Sequence, residues 1–333
     1  MKKAAVTGGG GFIGQAIVRR LLKHNVEPVV IGRSRYPEID ALEVETRNGD
    51  IRDPDFLRTA FRDCDTVFHV AGKAGIWGKW TDFHTTNVIG TENVIAACQA
   101  NNIARLIHTS TPSVIFDRIG ISGANENIPY AKSYLCHYAH TKAIAEQRVR
   151  AANHNGLRTC AIRPHLVWGP GDNHLIPRLV ALSKAGKLRR VGNGQNLVDI
   201  TYIDNAAQAH LLAAKNLENS GSAAGKAYFI SQGDPVYLWE WVNLLLRRLG
   251  APVVTRRISY RHAYWTGALL EKVYNLLNKE EEPPMTRFLA EQLAKSHWFT
   301  LERAERDLGY TPEISQQEGL QRTIEWLKSG RMQ

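Results

Sequence analysis

A tyrosine and a lysine four positions apart, Tyr138 and Lys142, carry the first chemistry that this sequence suggests. Residues 137–153 have a helical pattern, and residues four apart on a helix lie on one face, close enough to interact. A neighbouring ammonium favours the tyrosinate, so we expect Lys142 to lower the pKa of the Tyr138 phenol. Such a phenol can donate a proton to a ketone or accept one from an alcohol. The same spacing is common on solvent-facing helices, so the surrounding elements must distinguish a catalytic pair from an ordinary exposed helix face.

Three hydroxyl residues lie at the carboxyl end of a strand predicted over residues 105–110, in the run Thr109-Ser110-Thr111. Doubly wound α/β proteins assemble their sites at the carboxyl ends of such strands. A hydroxyl there can polarise a substrate carbonyl, whereas the others satisfy backbone groups of the loop. The sequence therefore predicts that one of these hydroxyls acts beside Tyr138.

A glycine-rich turn over residues 6–14 follows the first predicted strand and precedes an amphipathic helical segment. Gly8, Gly11 and Gly14 have a G-x-x-G-x-x-G spacing, a relative of the dinucleotide-binding fingerprint. In that motif glycines permit a tight turn, the approach of a pyrophosphate and close packing of the helix, whose N-terminus binds the phosphates. Many strand-to-helix turns are rich in glycine, so the motif alone is weak evidence. Tyr138 and Lys142 downstream favour dinucleotide binding over a purely structural turn.

The end of the second predicted strand bears on the choice of dinucleotide. NAD-selective sites place a carboxylate there for the ribose 2′-hydroxyl, whereas NADP sites place an arginine nearby. This strand is followed by Arg33, Ser34 and Arg35, and no acidic residue comes before Glu38. Because two guanidinium groups suit a 2′-phosphate, the sequence predicts NADP(H) as the cofactor.

Short β-like runs alternate with helical stretches in the first half of the chain, which is typical of parallel βαβ units. We predict an α/β fold, a Rossmann-type doubly wound parallel sheet, with strands at 4–6, 28–31, 44–46, 66–71, 105–110 and 158–163. Beyond Pro164 the alternation loosens, with a helix expected over 203–216 and a strand over 227–230. We therefore assign residues 1–165 to an NADP-binding Rossmann domain and 166–333 to a smaller, interleaved and mainly substrate-binding region.

Aromatic residues near the predicted strand ends are candidates for an apolar substrate pocket. Trp77 and Trp80 follow the fourth strand and His165 follows Pro164, with core packing, a loop cover or a structural histidine as the alternatives. The segment 260–277 is an aromatic-rich amphipathic helix with basic flanks. Three roles fit it: packing in the core, a lid over a long alkyl chain, or contact with a membrane or partner surface.

The composition is that of a globular protein, with 44% hydrophobic and 22% charged residues. The net charge of +10 comes from basic residues spread along the chain, which favours anionic small molecules over nucleic acid. Residues 1–3 lead straight into the first strand and no apolar run has spanning length, so we expect a cytoplasmic protein without a secretory leader. The four cysteines are scattered without metal-binding spacing, so no metal site is expected.

Several further motifs accompany these features, namely Gly49-Asp50-Ile51, His69-Val70-Ala71-Gly72, Asn87-Val88-Ile89-Gly90-Thr91 and Arg163-Pro164. With the glycine turn and the Tyr138/Lys142 pair, they resemble the extended short-chain dehydrogenases/reductases over essentially the whole chain. The segment 198–210 is similar to the 3β-hydroxysteroid dehydrogenase branch. Segments 73–78, 109–114 and 284–293 are similar to the bacterial 2-alkyl-3-oxoalkanoate reductases of long-chain olefin synthesis.

The resemblance implies roles for the matching residues. Tyr138 would be the acid, Lys142 would bind the nicotinamide ribose, and Thr111 would be the catalytic hydroxyl. Many relatives have serine at the position of Thr111, which leaves Ser110 as an alternative. For Asn87, a loop-bonding or helix-capping role is the alternative to cofactor contact. The residues expected to hold the cofactor, including the three after the second strand, are Gly8, Gly11, Phe12, Ile13, Gly14, Arg33, Ser34, Arg35, Asp50, Ile51, Ala71, Gly72, Asn87, Tyr138, Lys142 and Pro164.

The resemblance also implies the reaction, which is NADPH-dependent reduction of the 3-keto group of an apolar β-keto acid. A 3β-hydroxysteroid or sterol dehydrogenase is the nearest alternative, and a non-catalytic NADP(H)-binding sensor or assembly subunit is the alternative of another class. A sugar-nucleotide enzyme fits less well, because the turn at 169–172 lacks the arginine often found after it. The expected partners are a small keto substrate, enzymes of the same pathway, a second copy in a homodimer, and at most a peripheral membrane.

Overall fold

The computed structural model describes residues 1–329, so positions 330–333 of the predicted second region lie outside the described residues. The strands are β1 (Lys3–Thr7), β2 (Glu27–Gly32), β3 (Glu45–Asn48), β4 (Thr66–His69), β5 (Arg105–Thr109), β6 (Ile121–Ala124), β7 (Arg158–Pro164), β8 (Val167–Trp168), β9 (Arg190–Val191), β10 (Leu197–Val198), β11 (Thr201–Tyr202), β12 (Lys226–Ile230), β13 (Val236–Tyr237), β14 (Arg257–Ile258) and β15 (His297–Phe299).

The α-helices lie between these strands and after the last of them. They are α1 (Phe12–Lys23), α2 (Pro37–Asp40), α3 (Pro54–Ala60), α4 (Trp80–His84), α5 (Gly90–Ala100), α6 (His137–Ala151), α7 (Leu175–Lys184), α8 (Ile203–Glu218), α9 (Leu238–Arg248), α10 (Tyr260–Leu276), α11 (Arg287–Ala294), α12 (Glu302–Leu308) and α13 (Gln316–Lys328). A π-helical turn, Thr85–Ile89, precedes α5, and a 3-10 turn, Pro112–Ile115, follows β5.

A seven-stranded parallel sheet forms the centre of the fold. Its strand order is β12-β7-β5-β4-β1-β2-β3, and every neighbouring pair is parallel. The order changes direction between β1 and β4, and doubly wound sheets bind their ligands in the crevice at such a switch point. The Rossmann-type α/β fold predicted from the sequence is therefore confirmed.

The central strands are apolar on both faces because helices cover both faces of the sheet. Val6 of β1 packs in one buried cluster with Ile17 of α1. Ala5, the preceding residue of β1, packs in another cluster on the opposite face with Leu57 of α3 and Val94 of α5. This two-sided packing fixes the register of β1 and the direction in which the glycine turn leaves it.

Part of the second predicted region belongs to the main sheet. β12 pairs with β7, with Phe229 opposite Arg163, and most of α8 is buried against the sheet and α1. Other C-terminal elements pack around a separate apolar cluster that includes Trp241 and Leu245 of α9. Within residues 1–329, no helix has both the length and the apolar composition that a membrane crossing requires.

Gly14 is the position of the glycine turn with the least room for a side chain. A Cβ atom there would lie 2.2 Å from the carbonyl oxygen of Gly8 and 2.7 Å from Cα of Gly9. Because both are backbone atoms, Gly14→Ala is expected to push α1 away from β1 and to lower the free energy of unfolding by about 1–3 kcal/mol. Denaturant unfolding measures this loss. Gly120→Ala is the control, since its Cβ would approach no atom closer than 3.6 Å, and an equal loss in both variants would contradict the explanation.

Candidate active site

Tyr138 lies in the first turn of α6, half-buried beside Thr111. Burial raises the pKa of Tyr138 to about 12, and a hydrogen bond with the Thr111 side chain offsets only part of this shift. The lowering expected from Lys142 is therefore not present in this structure. The reason is geometric, because the Lys142 ammonium bonds to the end of β5 instead of to the phenol.

Lys142 lies one helical turn after Tyr138 and is 5% exposed. Its Nζ donates to the carbonyl oxygen of Thr109 at 2.6 Å and lies 3.2 Å from Nε2 of His108. Burial lowers the pKa of Lys142 to about 8, and the charge of Glu146 acts in the opposite direction. The two bonds hold the ammonium at the carboxyl end of β5 and leave one of its three N–H groups available.

His108 is a residue that the sequence reasoning missed. Since an ammonium can only donate, Nε2 of His108 accepts from Lys142 and the ring proton lies on Nδ1. Burial and the charge of Lys142 hold the pKa of His108 well below its usual range, so the ring is neutral. The His69 ring lies 5.1 Å away and bonds to Thr7 and Thr91, each at 2.8 Å. The available signal was a histidine within each of two predicted strands of the parallel sheet, at 66–71 and 105–110.

Ser110 and Thr111 turn to different partners. The Ser110 hydroxyl donates to Oε2 of Glu146 at 2.5 Å and is 4% exposed. The Thr111 oxygen accepts from the backbone N–H of Ser113 at 3.2 Å, and its side chain also bonds to Tyr138. The hydroxyl that faces the phenol is therefore that of Thr111, and Ser110 is occupied by a structural bond.

Glu146, one turn beyond Lys142, forms a buried ion pair with Arg163 at the end of β7. The guanidinium donates to both carboxylate oxygens, at 2.9 and 2.6 Å, and Tyr130 donates to Oε1 at 2.6 Å. Burial raises the pKa of Glu146, but Arg163 outweighs it and the net shift is downward. The carboxylate is thus charged at neutral pH and fixes α6 against two strand ends.

The glycine turn leaves the N-terminus of α1 open to an anion. Gly11 is the N-cap residue, no side chain caps the helix, and its first turn, which begins with Phe12 and Ile13, contains no acidic residue. Gly8 has φ of +67°, and a Cβ there would lie 2.8 Å from backbone atoms of Ala71. Free N–H groups on a closely packed backbone fit the pyrophosphate of a dinucleotide.

A cavity of about 460 Å³ lies at the other end of the predicted cofactor site. It is lined by Asp50, Arg52, Asp53, Thr85 and Ile89. Asp50 pairs with Arg52 at 2.6 Å, and that hydrogen bond lowers the pKa of Asp50. Ile51 is buried beneath Gly90 of α5, which leaves mainly its backbone to a ligand.

The residues after β2 are exposed, as a phosphate-binding group requires. Arg33, Ser34 and Arg35 all lie on the surface. Tyr36, which the sequence reasoning missed, places its ring against Gly10 and Gly32, where added Cβ atoms would lie 2.2 and 2.8 Å from ring atoms. The aromatic ring therefore packs against both the glycine turn and the end of β2.

Asn87 joins the loop after β4 to α6. Its side-chain oxygen accepts from the Lys73 N–H at 2.7 Å, and its nitrogen donates to Oγ1 of Thr141 at 3.0 Å. This is the loop-bonding role that was the alternative to direct cofactor contact. A Cβ on Gly72 would lie 3.1 Å from the same Asn87 oxygen, so the amide also shapes the cleft beside Ala71 and Gly72.

The three candidate substrate residues do not converge on one pocket. Trp77 donates to the carbonyl oxygen of Lys279 at 3.0 Å, which turns it towards α10. Trp80 packs against His137 and His140, on a side of α6 other than that of Tyr138. The remaining candidate is His165, after Pro164 at the end of β7; it bonds to His297 at 2.6 Å, and burial holds its pKa well below the usual range.

Known proteins resemble this chain over nearly its full length. The family described as 3-beta hydroxysteroid dehydrogenase/isomerase matches residues 5–259. A protein named 2-alkyl-3-oxoalkanoate reductase from Stenotrophomonas maltophilia is 50% identical over 96% of this chain and 98% of its own. One of the same name from Shewanella oneidensis is 48% identical over 96% of this chain and 84% of its own. A solved dTDP-glucose 4,6-dehydratase from Streptomyces venezuelae, with NAD bound, is 25% identical, with a TM-score of 0.77 over 98% of this chain and 97% of that chain.

The lowered pKa of Lys142 has a consequence for stability. Folding holds this pKa at about 8, against 10.5 for a lysine in the unfolded chain. Between these values the unfolded chain keeps a proton that the folded protein has released, so the free energy of unfolding rises with pH. Relative to Lys142→Met, we expect wild-type protein to gain about 1.4 kcal/mol per pH unit across this window. Urea unfolding without dinucleotide measures the difference. Lys184→Met, at an exposed lysine of α7, is the control, and a pH-independent difference for Lys142→Met would refute the linkage.

Proposed function

The chain belongs to the 3-beta hydroxysteroid dehydrogenase/isomerase family and is an oxidoreductase, and from this premise we propose that it reduces the 3-keto group of a 2-alkyl-3-oxoalkanoate with NADPH. The observation that carries the proposal is the placement of Tyr138, Thr111 and Lys142 together at the carboxyl end of β5. The identity to two proteins named as such reductases supports the substrate class.

Tyr138 acts as the proton donor in this proposal. Reduction of a ketone adds a hydride to carbon and a proton to oxygen, and a reduced nicotinamide supplies the hydride when it is bound. The raised pKa of the phenol, about 12, keeps its proton in place until the carbonyl oxygen becomes basic. The Thr111 hydroxyl donates to the same oxygen and stabilises the negative charge that develops there.

Lys142 and the residues of the glycine turn hold the dinucleotide in this proposal. The free N–H of the Lys142 ammonium is available to a ribose hydroxyl, and the N-terminus of α1 to the pyrophosphate. Asp50 borders the cavity available to the adenine. Ala71, Gly72, Asn87 and Pro164 border the cleft near the nicotinamide, where Asn87 acts through the loop that it holds.

Arg33 and Arg35 select NADPH over NADH in this proposal. Both are exposed at the end of β2, and Ser34 lies between them. The strand β2 ends at Gly32, and residues 33–37 contain no carboxylate of the kind that an NAD-selective site presents after this strand. A 2′-phosphate would therefore meet two guanidinium groups, and no acidic residue follows them in the sequence before Glu38.

An apolar cluster beside Tyr138 supports a substrate with alkyl chains. Phe116 and Phe288 pack edge to face, with ring centroids 6.3 Å apart, and Ile76 and Tyr138 pack at the margin of the same cluster. The sequence reasoning did not select the two phenylalanines, which are separated by more than half of the chain. We place the reaction in long-chain olefin synthesis, with hand-over of the hydroxy acid to an enzyme of the same pathway.

Removal of the Tyr138 hydroxyl tests the reductase assignment. Tyr138→Phe is expected to lower kcat for NADPH-linked reduction of a 2-alkyl-3-oxoalkanoate by about 100- to 10,000-fold, because the proton donor is lost. NADPH binding, measured by fluorescence titration, should persist. Tyr134→Phe is the matched control, since its hydroxyl donates only to the Val114 carbonyl oxygen at 3.1 Å. Wild-type turnover by Tyr138→Phe would overturn the role. Faster turnover of 3β-hydroxysteroids with NAD would favour the sterol alternative, and NADPH binding without turnover of any ketone would favour a sensor.

Removal of the two guanidinium groups tests the cofactor assignment. The double variant Arg33→Ala/Arg35→Ala is expected to raise KM for NADPH by about tenfold or more, because each charge-assisted bond to a phosphate contributes about 1.5–3 kcal/mol. KM for NADH should stay nearly constant, since NADH lacks the 2′-phosphate. Steady-state kinetics with both cofactors gives the comparison, and equal losses for the two would contradict the assignment.

A further inference from the structure

Cationic residues occur along the whole chain, but their excess over acidic residues is concentrated in two segments. Residues 173–198 and 241–259 contain nine of the 42 lysines and arginines and none of the 32 aspartates and glutamates. The remaining 33 cationic and 32 acidic residues nearly cancel, so almost the whole net charge of +10 comes from these two segments. Of the nine cations, Arg178 pairs with Glu282.

The fold brings the two segments together. The strand β9 of the first pairs with β14 of the second, with Arg190 opposite Arg257, and the Arg190 N–H donates to the Arg256 carbonyl oxygen at 2.9 Å. The Ser183 hydroxyl, near the end of α7, donates to the carbonyl oxygen of Pro252, which follows α9. The two strands and the ends of the two helices therefore form one surface, the basic patch. Its cations are Lys184, Lys187, Arg189, Arg190, Arg247, Arg248, Arg256 and Arg257.

No carboxylate of the chain neutralises the basic patch. Within residues 1–329, none of its eight cations forms an ion pair with an acidic side chain. The Arg189 guanidinium instead donates to the carbonyl oxygens of Gly186 and Leu188, at 2.6 and 3.0 Å. All of the cations except Arg189 and Arg190 are exposed. The patch therefore presents uncompensated positive charge to the solvent.

Arg190 and Arg257 are an unfavourable pair in the protein alone. Directly paired residues of neighbouring strands place their side chains on the same face, where like charges are destabilising. Gly194, with φ of +79°, leaves space for Arg190, since a Cβ there would lie 2.5 Å from Cδ of the arginine. Nε of Arg190 is buried and has no hydrogen-bond partner within residues 1–329. An anionic group opposite the two arginines would remove the repulsion between them.

We propose that the basic patch binds the acidic surface of another protein. Six of its eight cations are arginines, and arginine is enriched in protein interfaces whereas lysine is depleted. A guanidinium group is weakly hydrated and can donate two parallel hydrogen bonds to one carboxylate. Complementary charge across such an interface speeds association and excludes other partners. The partner is therefore identified by a cluster of exposed aspartates and glutamates.

Other anionic partners fit the patch less well. A single-stranded nucleic acid stacks its bases on exposed aromatic side chains, but Trp241, the one Phe, Tyr or Trp of the two segments, is buried. A small anion needs an enclosing pocket, and the cavity of about 520 Å³ that Arg248 borders is also lined by Glu318, which repels an anion. A second copy in a two-fold contact would place arginine against arginine.

Fluorescence anisotropy with a fluorescein-labelled oligoglutamate peptide tests the proposal without substrate or cofactor. Wild-type protein is expected to bind this peptide, and to bind an oligoglutamine peptide of the same length much more weakly. Arg247→Glu/Arg257→Glu, on two elements of the patch, should weaken binding by about tenfold or more, because attractive contacts become repulsive. Arg19→Glu/Arg62→Glu is the matched control. It changes the net charge by the same amount at two exposed arginines outside the patch, and it should bind as wild type does.

The remaining outcomes decide against the proposal or separate it from the reductase assignment. Absence of wild-type binding overturns it, and so does equal weakening by the two double variants, because net charge alone would then explain the binding. Stronger binding of a single-stranded RNA of equal charge, lost in Arg247→Glu/Arg257→Glu, assigns the patch to nucleic acid and also overturns it. If circular dichroism shows that this variant is unfolded, Arg247→Gln/Arg257→Gln takes its place and should show a smaller loss in the same direction. Reductase activity without peptide binding removes only this proposal, and peptide binding without reductase activity removes only the proposed function.

Discussion

The buried ion pair between Glu146 and Arg163 is the interaction on which the geometry of the site depends. Glu146 follows Lys142 by one turn of α6, and Arg163 is the last residue but one of β7. Ser110, which precedes Thr111, donates to the same carboxylate. One pair of charges therefore fixes a helix and two strand ends. Loss of one partner from a buried pair costs about 3–5 kcal/mol, whereas an apolar replacement of both is often neutral. The ion pair therefore serves mainly to position α6 and the two strand ends, and adds little to the stability of the fold.

Low polarity around the cleft acts on the two ionisable groups of the site in opposite directions. It raises the pKa of Tyr138 and lowers that of Lys142, because burial disfavours the charged form of each. The protein without dinucleotide therefore keeps the phenol protonated, which is the state that a proton donor needs. The lysine stays near its own transition at neutral pH, so a small gain of contacts on binding is enough to fix its charge.

The sheet and the glycine turn could be predicted because their signals are local, whereas the partners of Lys142 could not. Apolar runs and the spacing of Gly8, Gly11 and Gly14 appear within a few residues of one another. His108 lies 34 positions before Lys142 and has no local pattern that separates it from an ordinary buried strand residue. The direction of Trp77 could not be predicted either, because it is determined by Tyr274 of α10 and Lys279 just beyond it, some 200 positions away.

In α10 the usual placement of residue types is inverted, and the amphipathic pattern alone did not reveal it. Periodicity shows that a helix has two faces, but not which of them the protein covers. The small residue Gly267 permits close approach to the backbone before α11, and the buried Glu271 is stabilised by Arg287, so these residues select the inner face. The leucines remain exposed to water, so their apolar area contributes no hydrophobic free energy to folding. Their apolar area would be removed from water only by contact with another apolar surface.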